Sequence, residues 1–138
     1  MISFTVPIEP KGKSRHRTAG NGHTYTPAKQ VRWEQQFALF ASQYRPDSPM
    51  EGPLELHIKA VFSRPKRLQR KKDPEGLILH DKKPDVDNVV KSICDALNDT
   101  GWWRDDCQVS KCVVAKCYAE KDQAARIEVQ IGYALPEQ

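Results

Sequence analysis

Residues 54–62 carry the clearest periodicity in the chain and constrain its fold most. Apolar residues occupy every second position of this segment, and Glu55, His57 and Lys59 fall between them. Side chains of a β-strand point alternately to opposite faces, so the segment predicts a strand with one buried face. Such a strand needs partner strands and a covering layer, which the rest of the chain has to supply.

Three further segments have the composition of strands. Residues 2–8 and 125–133 alternate apolar with polar positions, and residues 107–119 are rich in Val, Cys and Tyr. The polar segment 120–123 is predicted to be a hairpin turn that pairs the last two strands directly.

Two segments follow a helical spacing instead. Four aromatic residues recur at intervals of four, three and four and predict a helix over about 27–44, with Thr26 as N-cap and Pro27 as first residue. A second helix is predicted over about 85–99, with Asp85 as N-cap and Gly101 at its end. The predicted buried positions are, in the first helix, Trp33, Phe37, Phe40 and Tyr44 and, in the second, Val86, Val90, Ile93 and Leu97, with Val89 and Ala96 widening the second stripe.

The predicted element order is β-α-β-α-β-β. At 138 residues the chain has the usual length of one domain. We therefore predict a single domain over residues 1–138, of class α+β, in which a small mixed β-sheet carries two helices on one face.

Basic residues concentrate in two predicted loops, at about 9–26 and 63–83. The net charge of the whole chain is only +4, so the remainder of the chain is acidic. Two separate basic loops favour a polyanionic partner such as nucleic acid, although a single Lys-rich loop is commonly no more than a solvated surface. The second loop is also predicted to contain a mobile segment.

Composition argues against several other classes of protein. No apolar run approaches the roughly 20 residues of a membrane span, and the first ten residues lack the basic start of a signal peptide. The sequence therefore predicts a cytoplasmic protein whose four cysteines are reduced. Their spacing has no C-x-x-C, which favours small buried hydrophobic residues over a zinc site.

Acidic residues concentrate in one stretch, residues 84–106, which holds several aspartates. Asp85 as a cap residue can turn its carboxylate toward Asp87, and Lys91 lies one helical turn beyond Asp87. Alternatively, these residues could be structural: Asp85 could cap the helix, Asp87 could interact favourably with the helix dipole, and Lys91 could form an ion pair with Asp87. The pair Asp105 and Asp106 could return beside the helix start or lie a helix length away, and local sequence does not decide between these positions.

A carboxylate cluster on a surface that binds nucleic acid repels phosphate unless a cation lies between them. Mg²⁺ suits this role because it takes oxygen ligands from one or two carboxylates and completes its shell with water and phosphate oxygens. A nearby lysine could stabilise the charge that develops on phosphate.

The stretch "DVDNVVKSICDALNDTGWWRDDCQV", residues 85–109, closely resembles the signature of RusA-type Holliday junction resolvases. The upstream segments "PKGKSRHR" and "TYTPAKQVRWE" are similar to those of the family's phage and prophage branch. The resemblance implies a homodimeric, Mg²⁺-dependent endonuclease, with Mn²⁺ as a substitute, that resolves four-way DNA junctions by paired symmetric nicks in recombination and repair.

The resemblance also implies site residues. Asp85, Asp87 and Asp106 would bind the metal and, with Lys91, form the catalytic set, whereas Asp105 matches a non-catalytic neighbour. A two-fold dimer would supply the two sites that paired nicks require. The basic loops would contact junction phosphates through Lys11, Lys13, Arg15, Arg17, Lys66, Arg67, Arg70, Lys71 and Lys72.

Two alternatives stay open from the sequence. One is a nuclease for other branched DNA, such as flaps and forks. The other is a DNA-binding module whose acidic residues are structural and cut nothing.

Overall fold

The computed structural model describes residues 1–14 and 17–136. Its main sheet has five strands in the order β1-β7-β4-β6-β5, and a two-stranded ribbon pairs β2 with β3. The strands are β1 (Ile2–Val6), β2 (Arg17–Thr18), β3 (Thr24–Tyr25), β4 (Leu54–Phe62), β5 (Ile78–Leu79), β6 (Val109–Tyr118) and β7 (Arg126–Tyr133), and the helices are α1 (Ala28–Ser42) and α2 (Val86–Leu97).

The sheet is mixed, as predicted. β4 runs parallel to β6 and antiparallel to β7, while β1 pairs antiparallel with β7 and β5 pairs antiparallel with β6. The α+β class with two helices packed on a small mixed sheet is therefore confirmed. The edge strand β5 and the ribbon of β2 and β3 are too short to leave a periodic signal in the sequence.

The alternation in β4 corresponds to its two faces. Leu56 and Ile58 are buried in the core together with Phe37 of α1 and Ile93 of α2. The opposite face carries His57 and its polar neighbours, which line an open groove of about 460 Å³. The helices therefore cover one face of the sheet, where burial of apolar side chains supplies the main driving force.

The predicted hairpin between the last two strands is wrong. β6 and β7 do not pair with each other, because β4 lies between them and pairs with both. β4, the most buried strand, takes the centre of the sheet, where both of its edges are hydrogen-bonded. The connection through 119–125 therefore passes the end of β4 and is not a tight turn.

Both helices were predicted at the correct place, with differences at their ends and faces. Pro27 occupies the N-cap position of α1, so the helix begins one residue later than predicted. In α2 the predicted positions Val89, Ile93, Ala96 and Leu97 are buried, whereas Val86, also predicted to be buried, is 41% exposed. The face is rotated because α2 packs against α1 as well as β6, and Ser92 turns toward α1. No helix within the described residues is long and apolar enough to cross a membrane.

Candidate active site

Three strands end at the same edge of the main sheet. β1 and β4 both run antiparallel to β7, and β6 runs parallel to β4, so Val6, Phe62 and Tyr118 mark one edge, called here the carboxyl edge. Both basic loops leave the sheet at this edge. Glu9 of the first loop accepts hydrogen bonds from the backbone N–H and the hydroxyl of Ser63 in the second, so the fold joins two segments that are distant in sequence.

Helix α2 begins near the carboxyl edge, at Asp85. The residue has the extended backbone of an N-cap (φ −67°, ψ 153°), but its side chain forms no capping hydrogen bond. The prediction of Asp85 as the N-cap residue is therefore confirmed, and the alternative in which its carboxylate serves to cap the helix is wrong. The Asp85 carbonyl still accepts the first helical hydrogen bond, from the Val89 N–H at 3.1 Å, so the helix starts without help from the carboxylate.

Asp87 and Lys91 lie on the first two turns of the same helix. Both side chains are exposed, as is that of Asp85. Among the residues that the structure describes, none forms a hydrogen bond or ion pair with these three charged groups. Within the described part of the chain, no side chain competes with a ligand for these three groups.

A groove of about 490 Å³ adjoins Asp85 and is walled by the first basic loop. Close packing holds this loop against the start of α2: a Cβ added to Gly12 would lie 2.5 Å from the Cβ of Pro84, and the Lys13 N–H donates to the Asn88 carbonyl at 3.0 Å. The groove is lined by Pro10, Lys11, Gly12, Lys13, Ser14, Lys83, Pro84, Asp85 and Asn88.

Lys13 is not placed to contact phosphate, contrary to the prediction. Its ammonium lies 2.9 Å from the carboxylates of both Glu34 and Asp95, with only 11% of the side chain exposed. Burial alone would lower the pKa of Lys13, but the two carboxylates outweigh it and raise that pKa. Gln30, fully buried, extends the network by donating to Glu34 and Ser92. Lys13 therefore ties the first basic loop to both helices.

The remaining basic residues of the first loop differ in how far the structure describes them. Lys11 is half-buried, and its ammonium donates to the Ser14 hydroxyl at 3.1 Å. Arg15 lies outside the described residues, and only the backbone of Arg17 is described.

The second basic loop is organised around a buried arginine, Arg64, which is only 8% exposed. Its guanidinium donates to the Ala119 carbonyl at 2.9 Å and to the Pro74 carbonyl at 2.6 Å, and also to the carbonyls of Leu68 and Gly76. The loop was predicted to contain a mobile segment, but these bonds fix it at several points, because a buried guanidinium requires acceptors for its donors.

The side chains on this loop divide into paired and unpaired groups. Arg70 forms an ion pair with Asp73 at 3.1 Å, which lowers the pKa of that carboxyl, and Arg67 lies over the ring of Tyr118 at 5.8 Å. Lys66, Lys71 and Lys72 are exposed. Of the predicted phosphate contacts in this loop, those three lysines are the most available.

Asp106 lies at the other end of α2. Asn98, just after the helix, donates from its amide to the Asp106 carboxylate at 3.3 Å and accepts from the Trp103 indole N–H at 2.7 Å. Trp103 is buried, so a fixed indole orients the amide that holds the carboxylate. Sequence analysis did not identify Asn98 as part of the site.

Asp105 has different surroundings. The side chain of Gln108 accepts its backbone N–H at 3.2 Å, and hydrogen bonding from the Cys107 side chain lowers the pKa of Asp105. Asp105 is therefore ionised beside Asp106 at neutral pH and contributes to the local negative charge.

The two ends of the acidic stretch are a helix length apart. A helix rises about 1.5 Å per residue, so Asn98 lies roughly 16 Å along the axis from Asp87. Within residues 1–14 and 17–136 no three His, Cys, Asp or Glu side chains are grouped closely enough to hold a metal ion. Within one chain, Asp85, Asp87 and Lys91 thus share the first turns of α2, whereas Asp106 lies beyond the end of this helix.

Comparisons with known proteins show the family of this chain. A family model described as endodeoxyribonuclease RusA matches residues 7–132. The chain is also similar to the uncharacterized protein YqaN of Bacillus subtilis (strain 168), with 38% identity over an alignment that covers 94% of each chain. The family match spans nearly the whole chain, including both basic loops and the acidic stretch, and the chain therefore belongs to the RusA endodeoxyribonuclease family.

Proposed function

We propose that this protein is a divalent-metal-dependent endonuclease that resolves four-way DNA junctions by paired symmetric nicks, in recombination and repair. The observation that carries the proposal is the start of α2. There Asp85 and Asp87 are exposed and unpaired among the described residues, next to two basic loops, in a chain of an endodeoxyribonuclease family.

The donor set at the start of α2 fits Mg²⁺. Asp85 and Asp87 offer exposed carboxylate oxygens that the fold leaves unused, and Mg²⁺ is commonly bound through one or two carboxylates, with substrate phosphates completing its shell. When bound, such an ion polarises a phosphodiester and lowers the pKa of a coordinated water. Mn²⁺ would suit the same oxygen ligands.

The charged residues of the chain would divide the remaining tasks. Lys91, one turn beyond Asp87, would face the negative charge that develops on phosphate oxygens during cleavage. Lys11 and Lys83, on the walls of the groove beside Asp85, would hold a neighbouring phosphate. The exposed lysines of the second loop would bind phosphates of a junction arm, which positions the DNA without reading its bases.

A homodimer would complete the site. If a two-fold axis crosses α2 near its middle, the start of each helix lies beside the end of the partner helix, and the partner subunit's Asp106 approaches Asp85 and Asp87. This arrangement overcomes the separation of about 16 Å that the helix imposes within one chain. It also gives each dimer two sites related by symmetry, as paired nicks on opposed strands require.

Cleavage of labelled DNA tests the proposal. Wild-type protein with Mg²⁺ should cut a four-way junction at symmetric positions and leave linear duplex intact, and a chelator should stop it. Equal cutting of forks and flaps would favour the broader branched-DNA nuclease, and binding without cutting in any divalent metal would favour a non-catalytic module.

The variant Asp87→Asn tests the assigned residues. It should cut at least about a hundredfold more slowly, the scale of removing one group that stabilises charge in an active site. Its junction affinity should stay the same or rise, because a negative charge near phosphate has been removed. Asp47→Asn, at an exposed aspartate of the connector between α1 and β4, is the matched control. Normal cutting by Asp87→Asn would overturn the assignment.

A further inference from the structure

The carboxylate of Asp85 has no partner among the described residues. Its position therefore depends on the backbone that precedes it, the segment 80–84. This segment leaves β5 and reaches the start of α2 in a few residues, so any interaction that fixes it also fixes Asp85.

Lys116 of β6 makes the most direct contact with this segment. Its ammonium donates to the carbonyl of Lys82 at 2.5 Å and to the carbonyl of Pro84 at 2.6 Å. Pro84 is bonded covalently to Asp85, so one of the two anchored carbonyls belongs to the peptide that carries the Asp85 nitrogen. A charged donor gives stronger hydrogen bonds than a neutral one.

His80 supplies a second set of anchors. Its N–H donates to the Lys116 carbonyl at 3.0 Å, and its Nδ1 accepts the Lys82 N–H at 3.0 Å. The ring is buried, stacked 4.3 Å from Tyr118 and edge-on 4.5 Å from Phe62. The segment is thus bound to β6 through the His80 N–H and the carbonyls of Lys82 and Pro84, and the buried ring of His80 holds the Lys82 N–H.

We propose that Lys116 is a positioning residue for Asp85, because its ammonium holds the carbonyls of Lys82 and Pro84 and so fixes the backbone from which the Asp85 carboxylate projects. The proposal rests on the proposed function, in which Asp85 binds the metal. Misplacement of a reacting group by about 1 Å can cost on the order of a hundredfold in rate, so a residue that never touches DNA can still control cleavage.

The position of Lys116 within β6 supports this role. β6 pairs with β4 in a register that places Lys116 opposite Ala60, which is fully buried, and Tyr118 opposite Phe62. Lys116 thus lies on the helix-bearing face, where apolar residues are expected, and reaches the segment before α2 from there.

The variants Lys116→Met and Lys59→Met test the proposal. Methionine is unbranched and nearly as long as lysine but donates no hydrogen bond. Lys59 lies on the adjacent strand, on the open face that carries His57, and serves as control. For Lys116→Met we expect single-turnover cleavage at least tenfold slower and half-maximal rate at about tenfold more Mg²⁺. Junction affinity in Ca²⁺ should stay within twofold of wild type. Lys59→Met should match wild type in all three.

Two further measurements separate positioning from a general structural role. Lys116→Arg keeps a charged donor and should recover part of the rate. Hydrogen–deuterium exchange over residues 81–87 should be faster in Lys116→Met than in Lys59→Met, while the unfolding midpoints stay similar. Wild-type cleavage by Lys116→Met, unchanged exchange, or equal losses of cleavage and affinity would each overturn the proposal. If wild-type protein cuts no junction, the proposed function fails, and the exchange comparison still decides whether Lys116 fixes the segment.

Discussion

At the scale of single residues, the charged side chains of this protein separate into those that hold the fold together and those that face outward. Lys13, Arg64 and Lys116 have fixed partners in neighbouring elements. Asp85 and Asp87 have none among the described residues. The sequence does not reveal this difference, because a lysine that forms an ion pair and a lysine that faces solvent are the same residue type.

The buried His80 gives a prediction on pH dependence. Burial, followed by the charge of Lys116, lowers the pKa of His80; Arg67 acts in the same direction and Asp81 opposes it. An unfolded histidine takes up a proton near pH 6.5, whereas the folded one resists it, so the free energy of unfolding should fall as pH drops below that value. The folded state should keep the full contribution above it.

The variant His80→Phe measures this contribution. Phenylalanine keeps an aromatic ring between Tyr118 and Phe62 but neither titrates nor accepts the Lys82 N–H. Above pH 7 we expect it to be less stable by about 1 kcal/mol, the net value of one hydrogen bond. Between pH 7 and pH 5 its urea-unfolding curve should change less than that of wild type. Parallel pH profiles for the two proteins would contradict the assignment.

Some residue roles could have been predicted from the sequence, and others could not. The Asp-x-Asp spacing predicted that Asp85 and Asp87 are candidate site residues at the start of a helix. The structure has both at that position. Lys116 left a weak signal, a lysine in the core-facing register of a strand, which sequence analysis did not use. The partners of Lys13 could not be predicted, since Glu34 and Asp95 meet it only through the packing of two helices.

At the scale of elements, periodicity predicted the two helices and the strands β1, β4 and β7, because each of them buries a regular set of side chains, and composition predicted β6. It did not predict strand order. A strand that is apolar on one face can take an edge or the centre, and the choice depends on contacts between distant segments. The sequence predicted direct pairing of the last two strands, but β4 lies between them and pairs with both.

The second basic loop is an element whose role can be measured separately. Replacing Lys66, Lys71 and Lys72 together by Ala should weaken junction binding and reduce the slope of log affinity against log salt. The slope should fall by about 0.9 for each phosphate that the variant no longer neutralises. Stability should barely change, because these side chains are exposed. The measurement is a binding titration across a salt series.

A control variant distinguishes loop position from net charge. Lys29 and Arg32 are exposed on α1, outside the second basic loop, and their joint replacement by Ala also removes positive charge. For each positive charge removed, the slope of log affinity against log salt should fall more in the triple variant than in this control. An unchanged slope in the triple variant would show that the loop is only a solvated surface.

At the scale of the whole molecule, α2 acts as a spacer between the two ends of the proposed site. Its start carries Asp85 and Asp87, and the residues just after its end hold Asp106 through Asn98. A site that needs all three carboxylates therefore needs two chains. This requirement follows from the length of α2 alone and does not depend on the properties of the dimer surface.

Mixing of inactive subunits tests the two-chain site. Asp87→Asn and Asp106→Asn homodimers should each be inactive. When the two are mixed and allowed to exchange subunits, each heterodimer should contain one doubly altered site and one intact site. We expect junction nicking to return as single nicks, at up to about half the nicking rate per dimer at full heterodimer formation.

The control mixture is Asp85→Asn with Asp87→Asn. These two residues belong to the same end of α2, so every site in that heterodimer carries one alteration, and no nicking should return. Lack of recovery in the first mixture, with subunit exchange verified by a tagged chain, would mean that each site draws its acids from one chain.

The order of strands also determines when the fold can form during synthesis. Among the described strands, β1 pairs only with β7, and the central strand β4 pairs only with β6 and β7. β4 therefore has no strand partner until residues 109–118 have left the ribosome, and β1 has none until residues 126–133 have. Long-range pairing of this kind closes large loops before it gains stability and is slow, so two apolar strands stay unpaired for most of translation, a state that is prone to aggregation.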